Sequence, residues 1–163
     1  SATRNKLYVN GSIQTESIRT SQHLRTIVAT SAIATYMVVN DVPDSMITAF
    51  DEGTMTTTSM NSMICGIAKE SYIRTDGAYD VSVITRGKTK VWCKSAVLPG
   101  ELLVSDGFGC VVSRGIDTSM HSYTFAKSLS TWDPNNPTAT PNITTSNIPG
   151  YGDIGLISCI VLI

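Results

Sequence analysis

Apolar and polar residues alternate with a period of two through residues 81–113, VSVITRGKTKVWCKSAVLPGELLVSDGFGCVVS. In the middle of this stretch Thr89, Val91 and Cys93 share one face, while Lys90, Trp92 and Lys94 share the other. That is the signature of a half-buried strand. Arg86-Gly87, Pro99-Gly100 and Asp106-Gly107 punctuate the alternation and read as turns between short strands. The pattern predicts an all-β chain: a small antiparallel β-barrel or sandwich.

The chain divides around this ribbon. Residues 1–35 are polar, with Leu7, Val9, Ile13, Ile18, Leu24, Ile27, Val28 and Ile33 widely spaced and an Asn10-Gly11 hairpin signal. The spacing fits neither a clean helix nor a long strand. The segment is read as an extended N-terminal arm, packed against other copies of itself or against the main domain. Residues 36–163 are read as a β-rich head. Apolar runs at 36–39, 46–50 and 63–68 are candidate strands, and Asp76-Gly77 marks a hairpin. Residues 123–126 suit a strand or one helical turn. Residues 133–152 carry four prolines among Asn and Thr, the composition of an extended surface loop. The final IGLISCIVLI is strongly apolar and rich in β-branched residues. It is too short to span a bilayer as a helix, so it is read as a buried last strand, without membrane insertion.

Composition narrows the class. In 163 residues, 42% hydrophobic content suffices for a core, while 15% charged content is low. Ser and Thr take the place of charge at the surface. A net charge of −1 argues against nucleic acid as the main partner, because phosphate binding needs a basic face. Residues 1–14 lack the apolar stretch of a signal peptide. Cys65, Cys93, Cys110 and Cys159 form no CxxC pair and sit in apolar runs. Buried free thiols are expected over disulfides or a zinc site, which fits a chain made in a cytoplasm.

Candidate chemistry is sparse. His23 and His121 stand in polar surroundings and are expected at the surface. Gly87-Lys88-Thr89 resembles the end of a phosphate-binding loop, but Ser82 stands where that loop needs glycine. The better reading is a hairpin turn with a basic rim. Neither a metal nor a cofactor is expected, and no catalytic residue is nominated. Met37, Met46, Met55, Met60 and Met63 cluster in one half, as core filler or as an adaptable interface. Arg86, Lys88, Lys90 and Lys94 are read as guards of an edge strand, with a polyanion-binding strip as the alternative. Trp92 alternates with those lysines; Trp132 and Tyr151 flank the proline-rich loop. These aromatics either cap the core or form a sugar-stacking surface. The candidate binding residues are therefore Trp92, Trp132, Tyr151, Lys88 and Lys90. The sequons at Asn10 and Asn142 matter only in a glycosylating compartment.

LYVNGSIQTESI at residues 7–18 resembles the passage from shaft to head in viral and phage tail fibres. MVVNDVPDSMITAFDEG, ICGIAKES, VWCKSAVLPGELLVSDGFGCVVS and GLISCIVLI follow in the order of the β-rich C-terminal head domains of such fibres and spikes. The intramolecular-chaperone fibre domains are related to these. The resemblance implies a homotrimeric, virion-surface domain assembled in the host cytoplasm. Its partners would be itself, other virion proteins and a host-surface glycan or receptor. Self-cleavage before Ser1, a capsid-decorating role and a cellular carbohydrate-binding module are the alternatives. No Ser-Lys dyad can be placed, so no catalytic residue is carried over.

Overall fold

The computed structural model describes residues 10–11, 22–42, 52–55, 63–114, 123–140 and 142–163. Met46, Met60, His121 and nearly all of the 7–18 phrase fall outside them. Among the described residues, ten strands form the fold. They are β1 (Gln22–Ala29), β2 (Val38–Asp41), β3 (Gly53–Met55), β4 (Ile64–Ile73), β5 (Tyr79–Cys93), β6 (Leu102–Ser105), β7 (Val111–Ser113), β8 (Ala126–Ser128), β9 (Thr144–Ile148) and β10 (Gly152–Val161). The all-β expectation holds.

β5 organises everything else. Its C-terminal half pairs antiparallel with β10, from Val161 opposite Gly87 to Gly155 opposite Cys93. β10 pairs with β8, β8 with β6 and β6 with β7, and β7 returns to β5 at Val111 opposite Cys93. These five strands close a barrel. The N-terminal half of β5 lies between β1 and β4, and the sheet continues through β2 to β3. A parallel bridge from Val28 to Glu52 ties its two margins.

Two cores result. Inside the barrel, Val91, Cys93, Leu103, Val111, Ala126, Trp132, Ile157, Cys159 and Val161 pack with Val38, Ile64, Ile67 and Ile84. The second core holds Ile27, Ala29, Ile33, Val39, Cys65, Ala68, Val81 and Val83, with Met37 and Met55 against it. β4 therefore faces a core on each side. Its start, ICGIA, is buried at every residue, as a doubly covered strand requires.

Several expectations are corrected in detail. Arg86-Gly87 is no turn: β5 runs through it unbroken. Gly87 has φ of +110°, a conformation side chains disfavour, and it marks where β5 exchanges β1 for β10. Arg86, Lys88 and Lys90 consequently lie on a central strand, with Lys94 just past its end, not along a hairpin at the edge. β1 lies within the first 35 residues and is ladder-paired to β5 along its whole length, the packing against the main domain that was one of the two alternatives. Residues 22–35 thus contribute Ile27, Ala29 and Ile33 to the second core. Part of the proline-rich stretch is also ordered as sheet, since β9 pairs with β10 through a turn at Pro149-Gly150. Pro99-Gly100 and Asp76-Gly77 do turn the chain. All four cysteines are buried and free.

Candidate functional site

The alternation along β5 is as expected over residues 89–93. Thr89, Val91 and Cys93 point inward at 8%, 0% and 0% exposure, while Lys88 and Lys90 are exposed and Trp92 is half-buried. The lysines are thus presented outward by the same register that buries Val91. Next to them the surface is concave. A cleft of about 280 Å³ is lined by Lys69, Lys88 and Lys90, together with Gln22, Tyr36 and Ser158.

The fold builds this cleft from separate elements. Gln22 opens β1 opposite Gly87, and its side-chain amide donates to the Lys88 carbonyl at 3.0 Å. Lys69 lies on β4 at a register irregularity between Ala68 and Glu70, and its Nζ donates to Gln22 Oε1 at 3.1 Å. Gln22 therefore holds one ammonium in place against the strand that carries the other two. Among the described residues, no carboxylate lines the cleft. Among the described residues, the ion pairs join Arg25 to Asp41, and Arg74 to Asp76 and Asp80; none involves the three lysines.

Tyr36 stands out in the backbone. Among the described residues it is the non-glycine residue with positive φ, at +68°. Left-handed geometry costs a bulky side chain on the order of 1–3 kcal/mol. Two hydrogen bonds hold it: Tyr36 N donates to Ala68 O at 2.7 Å, and Trp92 N donates to Tyr36 O at 3.3 Å. The strained residue thus sits between β4 and β5, lines the cleft and packs partly buried against the barrel core.

Lys88, Lys90 and Trp92 are brought together on one strand, with the backbone of Trp92 tied to Tyr36. Trp132 and Tyr151 lie elsewhere. Trp132 is 1% exposed, so its indole caps the core and offers no open stacking face. It lines a separate cleft of about 360 Å³ with Leu98, Glu101, Asp133 and Thr140. Tyr151 is covered by Lys94, whose Nζ lies 3.5 Å from the ring centre and donates to the Tyr151 carbonyl at 2.6 Å. The exposed Phe108 packs on the same ring at 4.9 Å between centroids. This cluster pins the Asp106-Gly107 bend to the start of β10. Asp106 Oδ1 accepts from Phe108 N at 2.8 Å and from Cys110 N at 3.1 Å. Burial raises its pKa above the usual carboxylate value, against the pull of those N–H groups and of Lys94.

Gln22, Tyr36 and Lys69 were missed in the sequence. Lys69 follows an apolar run as any exposed strand-end lysine does, and nothing local marks Tyr36 as left-handed. His23 is exposed, as expected. Among the described residues no group of three or more His, Cys, Asp or Glu is placed to hold a metal ion. No model of a known protein family matches this chain, and no curated protein matches its sequence.

Proposed function

We propose that this chain is the β-rich head of a viral fibre or spike, a virion structural protein that forms a homotrimer and attaches to the host surface. The observation that carries the reading is exposed apolar side chains on β1 and just past β10, the two strands that flank β5 at Gly87. Gly87 pairs with Gln22 on one side and Val161 on the other. Leu24 lies two residues along β1, and Leu162 and Ile163 follow Val161 directly. Their exposures are 54%, 50% and 48%. A fold that buries Ile27, Ile157 and Val161 completely leaves these large side chains in water. Burial against sister copies removes that cost, at about 25 cal/mol per Å² of apolar area. The order of sequence phrases shared with fibre heads supports the same reading.

Sedimentation equilibrium tests it. The expected mass is three times the 17.5 kDa of one chain, and Leu162→Asp together with Leu24→Asp should shift the population toward monomer. A wild-type chain that sediments as a monomer overturns the proposal.

A further inference from the structure

We propose that the cleft between β1, β4 and β5 binds an oxyanion group, sulfate or carboxylate, carried by a host-surface glycan. The inference rests on the attachment reading for the source of the anion; the anion chemistry itself rests on the cleft. Three lysines, Lys69, Lys88 and Lys90, line one concavity of about 280 Å³. The chain as a whole carries a net charge of −1, so this positive charge is local. No carboxylate is among the described residues of the lining, and a concave wall focuses the field of the lysines.

Two features distinguish the cleft from lysines scattered over a surface. Gln22 fixes Lys69 through its side-chain oxygen and fixes itself to the Lys88 carbonyl through its nitrogen, which orients part of the donor set before a ligand arrives. Tyr36 holds a left-handed backbone at the cleft, a strain that natural chains retain mostly where it serves a site. Tyr36 lines the cleft with the lysines, and the half-buried Trp92 lies two residues beyond Lys90 on the same face of β5. A charged group on a sugar ring meets both requirements: oxygens for the ammonium groups and a C–H face for the aromatics. Ammonium-to-oxyanion hydrogen bonds are the stronger, charge-assisted kind.

The test is calorimetric titration of the full chain with a sulfated disaccharide, a sialylated trisaccharide, their neutral parents, inorganic sulfate and a short DNA duplex. An acidic sugar should bind, the neutral parents should not, and affinity should fall as salt rises. Lys88→Gln with Lys90→Gln should weaken binding about tenfold or more, the scale of losing charge-assisted hydrogen bonds. Lys127→Gln, on β8 and outside the cleft, should leave it unchanged. Lys88 and Lys90 are exposed, and glutamine keeps an outward-facing polar side chain that still opposes a register slip, so the double variant should keep the wild-type melting curve. The inference fails if no acidic sugar binds, or if the double variant binds like wild type. Inorganic sulfate binding as tightly as the sugars overturns the glycan source; equal binding of DNA overturns a glycan site altogether. A trimer that ignores every anion refutes this inference alone. A monomer that binds the acidic sugar refutes the fibre assignment and keeps the cleft.

Discussion

Gly155→Ala puts the packing of the barrel to a quantitative test. Gly155 lies in β10 with Cys93 opposite on one side and Thr145 on the other, so its backbone cannot slide. A β-carbon there would stand 2.4, 2.6 and 2.8 Å from Cε2, Cδ2 and Cζ2 of Trp132. All three are rigid ring atoms, and ordinary contact begins at 3.4 Å; the indole must therefore retreat by about 1 Å. Its own backbone is pinned, because Trp132 N donates to Val97 O and Val97 N to Trp132 O. Overpacking of this kind costs about 1–3 kcal/mol. For a domain of this length that lowers Tm by about 2–12 °C. Thermal unfolding followed by circular dichroism and tryptophan fluorescence reads both the loss and the displaced indole. In a Trp132→Leu background the ring is gone, and Gly155→Ala should cost almost nothing, a non-additivity that isolates the contact. If the alanine leaves Tm unchanged, or costs as much without the indole, the packing argument is wrong.

Three further outcomes are expected. Burial pushes the Cys93 thiol up to about 11 and those of Cys110 and Cys159 up to about 12. Iodoacetamide should spare them in the folded chain at neutral pH and modify them in denaturant. Unfolded thiols ionise first as pH rises, so stability should fall above about pH 9; fast native labelling would contradict the burial. Asp106→Ala should cost about 1–3 kcal/mol by stranding two backbone N–H groups, and Asp106→Asn, which keeps an acceptor, should cost less. Because the folded carboxyl holds its proton more tightly than the unfolded one, wild type should gain on the Asn variant as pH falls; a flat difference in denaturant melts would refute this. Deleting residues 157–163 removes Ile157, Cys159 and Val161, all fully buried. With about 1.5–3 kcal/mol lost for each large apolar side chain, the chain should fail to fold, and a soluble, cooperatively melting truncation would disprove the role of β10.

What was legible in the sequence follows from what is local. Thr89, Val91 and Cys93 alternate because one face of β5 meets the core, and no distant partner is needed to see that. Asp76-Gly77 and Pro99-Gly100 turn the chain through their own backbone preferences. Gly87 misled because glycine after arginine suits either a turn or a distorted strand, and only its partners decide. β1 was obscured for a different reason. Its two large apolar residues Leu24 and Ile27 are three positions apart and fall on opposite faces of the strand, so Leu24 is outside while Ile27 is buried, and no apolar alternation shows. The cleft was least legible. Lys88 and Lys90 were named as candidates, but Gln22, Tyr36 and Lys69 join them across 19 or more positions, a separation no spacing rule spans.

The position of the cleft is a consequence of how β5 is shared. Ile67 and Ile84 face the barrel core, while Ala68 and Val83 face the second core. The sheet segment between them is buried on both sides, so neither core can open without exposing the other. Gly87 is the joint: β1 leaves β5 there and β10 takes over. Gln22 and Lys69 come from one half, Lys88, Lys90 and Ser158 from the other. Their convergence depends on the register at this joint. A slip of one residue would turn Lys88 and Lys90 inward and Thr89 and Val91 outward. Two unpaired ammonium groups in a core are costly enough to forbid that slip. The lysines that line the cleft therefore also enforce the register that creates it. Gly87→Val, which forces a β-branched side chain toward φ of +110°, should disturb both at once: a lower Tm and a weakened response to acidic sugar in the same variant. A Gly87→Val chain that melts like wild type and binds anions unchanged would show that the joint does not govern the cleft.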